Sequence, residues 1–149
     1  METYLGILRD KGFKITPLRK AMLGAFRNRG ALLTAKALRK ILRRQIPNVG
    51  LQSVYRNLAD FTKVGITEEM FVERRKAAYA LCKRVASHHH HVVCLRCGRS
   101  GEIEACELGD VVTRLERSIQ NIKKETGFIV ERHSLQLEGL CHGCQAKKA

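Results

Sequence analysis

The chain has 149 residues, 44% of them apolar, and a formal net charge of +14. That length fits one ordinary domain or two small ones, and the apolar share allows a packed core. No apolar run reaches the roughly 18 residues of a membrane span, and METYLGILRDKG lacks the basic-then-apolar pattern of a signal peptide, so a cytoplasmic chain without a membrane partner is expected.

Charge divides the chain. Residues 1–87 hold 19 Lys+Arg against 6 Asp+Glu, a net of +13, and residues 88–149 hold 9 against 8, a net of +1. A basic half joined to a near-neutral half predicts that the first half meets nucleic acid.

The first segment, residues 1 to about 86, reads as helices closed by a hairpin. Residues 2–12 carry Tyr4, Leu5, Leu8 and Lys11 at helical spacing. Thr16-Pro17 starts a second helix, with Thr as N-cap and Pro at its first position. Its apolar face is Leu18, Ala21, Met22, Ala25 and Phe26, and Gly30 ends it. Thr34 caps a third helix, with Leu38, Ile41 and Leu42 inward. Pro47 and Gly50 break the chain again.

A fourth helix is expected from Leu51 to Lys63. Leu51, Val54, Leu58 and Phe61 form its apolar stripe. Gln52, Ser53, Arg56 and Asn57 lie opposite, with Tyr55 at the edge, and such side chains contact phosphates and base edges. Residues 66–73 and 77–82 alternate weakly about a basic tip of Arg74, Arg75 and Lys76. Helices followed by a basic hairpin make a winged helix-turn-helix.

The second segment opens with four histidines. Strands HVVCL and GEIEA flank Cys97-Gly98, and a long helix follows with Leu108, Val111, Val112, Leu115, Ile119 and Ile122 on one face. Gly127 is placed to terminate it. Residues 128–138 read as a strand with Ile129, His133, Leu135 and Leu137 on one face.

Six cysteines stand at 82, 94, 97, 106, 141 and 144. In a reducing compartment, two C-x-x-C pairs read as metal ligands and not as disulfides. Cys94 and Cys97 with Cys141 and Cys144 make a closed four-thiolate zinc site, structural because it leaves no open coordination position. Cys106 reads as a small apolar residue.

The histidines supply a second chemistry. On an extended segment alternate side chains face opposite ways, so His89 and His91 share one face and His88 and His90 the other. Imidazole alone does not name the metal. Cys82 and Glu68, both in the hairpin, would complete with His89 and His91 a four-ligand set suited to zinc. Such a site straddles the two segments and would fix their angle, as a switch requires. On the other face, His88 and His90 could meet His133 and a carboxylate from 102–110.

Catalysis has no support. The H-x-E and P-C-x-x-C of zinc deaminases are absent, and no triad, phosphate loop or carboxylate pair stands out, so neither an enzyme nor a small-molecule substrate is expected.

The pieces ITPLR (15–19), GLQSVYRNL (50–58), HHHHVVCLRCG (88–98), HSLQLEGLC (133–141) and the closing C-x-x-C occur in one order and spacing. In these the chain resembles the ferric uptake regulator (Fur) superfamily over nearly its whole length. The resemblance implies an α+β protein: a winged helix-turn-helix DNA-binding domain over 1–86 and a small α/β metal-binding dimerisation domain over 87–149. It implies a homodimer that represses from a palindromic operator on double-stranded DNA in its metal-loaded form. It points to Arg19, Gln52, Ser53, Tyr55 and Arg56 as DNA contacts.

Within the superfamily, iron and peroxide sensors use a histidine near the start of the third helix and a carboxylate in the last wing strand. Here those places hold Ala31-Leu32-Leu33-Thr34 and Ala80, and no histidine precedes His88. Zinc uptake regulators use a cysteine before the histidines, a role that Cys82 fits, with Glu68, His89 and His91 completing the regulatory site. The stretch from Cys82 to Ser87 is longer than the family spacing. For the third site, Glu107 or Asp110 is the implied carboxylate beside His88, His90 and His133, with Glu102 a further candidate.

The leading expectation is a zinc-responsive repressor holding structural Zn(2+) and a second, regulatory Zn(2+). The alternatives are the same architecture answering iron(II), manganese(II), nickel or peroxide, and a zinc-ribbon nucleic-acid-binding module that does not switch.

Overall fold

The computed structural model describes residues 1–72, 76–83, 85, 89–104, 110–129 and 135–146. Four helices come first: α1 (Glu2–Asp10), α2 (Pro17–Arg29), α3 (Ala35–Leu42) and α4 (Leu51–Lys63). Their ends follow the expected chemistry. The Thr16 hydroxyl accepts from the Arg19 N–H at 3.2 Å and the Thr34 hydroxyl from the Ala37 N–H at 3.2 Å, each satisfying one orphan donor of a first turn. Gly30 ends α2 in the left-handed region, φ 54°, where a side chain would be strained.

The helices close over one core. Leu8, Met22, Leu23, Leu38, Val54, Leu58 and Phe61 are fully buried within it. Leu23 was not among the positions read as inward from the sequence. It lies beside Met22 on a face of α2 that is wider than a single stripe.

Strands β1 (Thr67–Val72) and β2 (Lys76–Leu81) form an antiparallel hairpin with Glu68 opposite Ala80 and Met70 opposite Ala78. The Cys82 N–H continues the ladder to the Ile66 carbonyl at 2.9 Å. Since facing residues and alternate residues share a face, Glu68, Met70, Ala78, Ala80 and Cys82 fall on one side. Of the expected wing tip, Arg74 and Arg75 lie outside the described residues, and Lys76 is exposed at the start of β2.

A second sheet has the order β4-β3-β5. β3 (His89–Cys94) runs antiparallel to β4 (Ser100–Glu104) and parallel to β5 (Gln136–Gly139). β3 starts two residues earlier than the HVVCL reading and so takes His89 and His90 into the sheet. The strand expected over 128–138 differs more. Its described part is only β5 with Leu135 before it; Phe128 and Ile129, 73% and 74% exposed, follow the helix as irregular chain. His133 lies outside the described residues, as do His88, Cys106 and Glu107.

Helix α5 (Asp110–Thr126) ends at Gly127, φ 74°, whose N–H donates to the Lys123 carbonyl. Its Val111 and Ile122 are exposed. A single turn, α6 (His142–Gln145), closes the described chain.

Hairpin and sheet meet through the segment between α2 and α3. Leu33 bridges Tyr79 of β2, and Ala31 bridges Arg99 just before β4. Leu32 packs against Met70, Ala80 and Val93, a small apolar cluster formed by β1, β2 and β3.

Candidate metal centres

The first centre is built on β3, on the turn after it and on α6. β3 delivers Cys94, and the 95–97 turn brings Cys97 back. The Gly98 N–H closes that turn on the Cys94 carbonyl at 2.9 Å, with Gly98 at φ 70°. The parallel pairing of β3 with β5 carries the chain to Cys141 and Cys144 at the start of α6.

The four sulfurs lie within 4.8 Å of one another. Zinc–thiolate bonds of about 2.3 Å in a tetrahedron imply sulfur–sulfur edges of about 3.8 Å, and Cys97 Sγ stands 3.7 Å from Cys141 Sγ. The residues therefore fit zinc. The thiols are not equivalent. Backbone N–H groups, that of Cys141 first and those of Cys97 and Arg96 after it, pull the Cys94 thiol down to about 6. Burial, with hydrogen bonds that the Cys144 S–H donates to the neighbouring cysteines, pushes Cys144 up to about 12.

The second centre lies where hairpin and sheet face each other. The ligand atoms of Glu68, Cys82, His89 and His91 fall within 4.8 Å of one another. His91 Nε2 is 2.9 Å from Glu68 Oε2 and 3.9 Å from Cys82 Sγ, and the His89 and His91 rings meet edge to face at 5.0 Å. For tetrahedral zinc with bonds near 2.3 Å to sulfur and about 2.0–2.1 Å to nitrogen, the Cys82–His91 separation should be about 3.6 Å. The donors fit such an ion after small shifts, in which the Glu68–His91 hydrogen bond opens.

Burial and neighbouring charges shift two of these groups. The hydrogen bond from His91 holds the Glu68 carboxyl below its usual range, against the cost of burial. Burial pushes the Cys82 thiol up to about 12, with the nearby carboxylates of Glu68 and Glu102 adding to it. The long stretch after Cys82 does not keep it from the site, because hairpin and strand place it there independently of that spacing.

Glu102 stands opposite His91 in the β3–β4 register. It accepts a hydrogen bond from the Lys83 N–H and lines, with His91, Tyr4 and Lys83, a cavity of about 300 Å³. It thus lies beside the Glu68 cluster. Of the rest of the third expected set, His90 and Asp110 are described: His90 is buried opposite Ile103, and Asp110 is exposed at the first residue of α5.

The expected nucleic-acid residues divide into two kinds. Gln52, Ser53, Tyr55 and Arg56 are exposed on α4. Arg19 is largely buried: its guanidinium pairs with Asp60, donates to the Lys14 carbonyl at 2.6 Å and lies 5.1 Å over the Phe13 ring. It borders the same shallow groove as Ser53 and Arg56. Sequence reasoning missed Leu32, Met70 and Val93 as the apolar cluster between hairpin and sheet. The one available signal was the apolar Ala-Leu-Leu between two capped helices.

A family model described as the ferric uptake regulator family matches residues 10–138. The ferric uptake regulation protein of Neisseria meningitidis serogroup C is 33% identical over 150 residues, 99% of this chain and 98% of that protein. The peroxide operon regulator of Bacillus subtilis (strain 168) is 31% identical over 144 residues, 97% of this chain and 92% of that protein. In fold, the chain is similar to a zinc uptake regulator complexed with zinc and DNA, with a TM-score of 0.76, 23% identity and coverage of 97% and 92%. Among the described residues no helix is long and apolar enough to cross a membrane.

Proposed function

Because the chain belongs to the ferric uptake regulator family of metal-responsive transcriptional regulators, we propose that it is a zinc-responsive repressor that binds a palindromic operator as a homodimer. The observation that carries the zinc reading is the convergence of Glu68, Cys82, His89 and His91. A thiolate, a carboxylate and two imidazoles form a tetrahedral donor set, and thiolate favours zinc over manganese or iron(II) in an oxygen-rich site. Ala80, opposite Glu68, offers no further ligand.

Residues 1–86 act as the DNA-binding unit and 87–149 as the dimerisation unit in this reading. Gln52, Ser53, Tyr55 and Arg56 reach base edges and phosphates, and Arg19 supports α4 from beneath. The four-thiolate site keeps its zinc permanently; the second site fills and empties. Filling it draws the hairpin onto β3 and sets the angle of the DNA-binding unit. The exposed apolar residues of α5 and the 128–129 segment supply the dimer face, and two-fold symmetry doubles a short readout.

The test is operator binding by protein that carries only its four-thiolate zinc, titrated anaerobically with Zn(II), Fe(II) and Mn(II). Zinc should switch on binding, and Cys82→Ala should abolish the response. Equal activation by iron or manganese with a silent Cys82→Ala would overturn the zinc assignment and leave the family intact. Binding indifferent to every metal would favour a module that does not switch.

A further inference from the structure

The segment between α2 and α3 pairs with both the hairpin and the turn that carries two of the four cysteines. On one edge, the Leu33 N–H donates to the Tyr79 carbonyl and the Tyr79 N–H to the Leu33 carbonyl, both at 3.0 Å. Those two bonds add the segment to strand β2 of the hairpin. On the other edge, the Leu32 N–H donates to the Gly98 carbonyl at 2.9 Å, and Ala31 bridges Arg99.

Gly98 follows Cys97 directly, and its own N–H closes the thiolate turn on Cys94. The carbonyl that receives Leu32 is therefore oriented by the same turn that presents two zinc ligands. Between the two edges, the Leu32 side chain packs on Met70, Ala80 and Val93. Met70 and Ala80 share the hairpin face of Glu68 and Cys82, and Val93 lies two residues along β3 from His91. Leu32 thus belongs to the apolar floor next to the second metal centre.

Backbone pairing of this kind transmits position, since a ladder hydrogen bond fixes both the separation and the direction of its partners. Tightly packed apolar contacts do the same, because interiors of protein density do not deform continuously. The segment leads directly into α3, and α3 packs on α4, the helix that bears Gln52, Ser53 and Arg56.

We propose that residues 31–33 are a strap through which the four-cysteine turn holds the hairpin and α3–α4 in their DNA-binding orientation, with Leu32 as its positioning residue. The four-thiolate zinc then does more than staple its own sheet: the state of the Cys94–Cys97 turn governs the winged helix through the Gly98–Leu32 bond. This rests on the DNA-binding reading above, but the strap itself is a structural coupling that can be observed without DNA.

The test has two arms. In the first, amide hydrogen exchange of the wild-type chain is followed with the four-thiolate zinc present and after its removal by a chelator. Protection at Leu32, Leu33 and Tyr79 should fall at least about tenfold on zinc removal while α2 and α4 core amides stay protected. Unchanged protection at these three amides, or uniform loss across α2 and α4, would overturn the strap. In the second arm, Leu32→Ala and Leu32→Met are compared for zinc content and operator affinity. Leu32→Ala should retain full zinc in both centres yet lose about tenfold in zinc-dependent operator affinity, as expected of a weakened coupling of about 1.4 kcal/mol, and Leu32→Met should recover most of it. Wild-type affinity in Leu32→Ala, or loss of metal in step with affinity, would also refute the role. If the wild-type chain binds no operator while the exchange arm behaves as stated, the DNA reading fails and the strap stands.

Discussion

Cys82 Sγ lies 3.9 Å from His91 Nε2, although they stand nine positions apart and Cys82 follows the hairpin while His91 belongs to the three-stranded sheet. The buried thiol is held up at about 12, so at neutral pH the metal-free site contains S–H and not thiolate. A metal that takes Cys82 as a ligand must displace that proton. The sign follows: below about 12, each unit of falling pH raises the activity of the competing proton tenfold and weakens binding by up to tenfold for this one group. Metal affinity at the second centre should therefore rise with pH, and Cys82→Ser should both weaken it and remove about one unit from the slope of log affinity against pH. Competition titrations with a zinc indicator between pH 6.5 and 8 measure both. A slope unchanged in Cys82→Ser means that Cys82 is not a ligand.

Much of this centre was legible before any coordinates. Alternation along an extended segment put His89 and His91 together, and β3 realises that alternation. Cys82 was legible as a fourth donor by residue type, although the stretch after it is longer than the family spacing, and the hairpin brings it to the histidines independently of that spacing. Helix starts at Thr16 and Thr34 were legible because caps are local chemistry. The Leu32 cluster was not, because an apolar tripeptide between helices carries no period that names its partner. The strand expected over 128–138 is present as β5 from Gln136, but its first two residues differ: Phe128 and Ile129 are apolar and β-prone, yet Gly127 turns the chain out of α5 and leaves them in the open.

Arg19 and Arg56 differ in burial and pairing. Arg19 is largely buried and paired with Asp60, while Arg56 is exposed three residues after Ser53. Arg56→Ala should leave the melting temperature almost unchanged and reduce operator affinity, with a shallower salt dependence if it contacts phosphate. Arg19→Ala should instead destabilise the fold by about 1–3 kcal/mol, the cost of leaving a partly buried carboxylate without its charged partner. Asp60→Ala should cost a similar amount, and the double variant should cost clearly less than the sum. Thermal melts with a double-mutant cycle decide it. Additive losses at Arg19 and Asp60 would mean that their contact contributes nothing.

The apolar residues of α5 lead to a prediction about assembly. Val111 and Ile122 are 58% and 41% exposed, and Phe128 and Ile129 more so. Fully burying one such side chain is worth about 1.5–3 kcal/mol, and in a two-fold interface each residue counts twice. Ile122→Asp should therefore shift sedimentation from dimer to monomer at micromolar concentration. Zinc at the four-thiolate centre should remain, and operator affinity should collapse with the dimer. A dimer that survives Ile122→Asp and Val111→Asp together would exclude this face as the interface.

The four-thiolate centre bears on stability more than any single contact. Its ligands are 47 residues apart between Cys94 and Cys141, and the metal closes that loop around a three-stranded sheet whose β5 has only four residues. Structural zinc contributes an apparent binding free energy of about 10–16 kcal/mol, comparable with the whole net stability of a domain, about 5–15 kcal/mol. Loss of one ligand should therefore unfold the sheet. The thiols also predict a pH dependence of loading. Cys94, pulled down by the backbone N–H groups around it, gives up its proton more readily than an ordinary thiol. Cys144, held at about 12, must surrender a proton, so loading is favoured by rising pH until that thiol ionises without help. Cys144→Ser should be purified with less than one equivalent of zinc and lose circular dichroism from β3, β4 and β5, while the α1–α4 core, which contains no ligand of this centre, keeps its helical signal. A Cys144→Ser chain with full zinc and a wild-type melting curve would show that three thiolates suffice and that the fourth is dispensable.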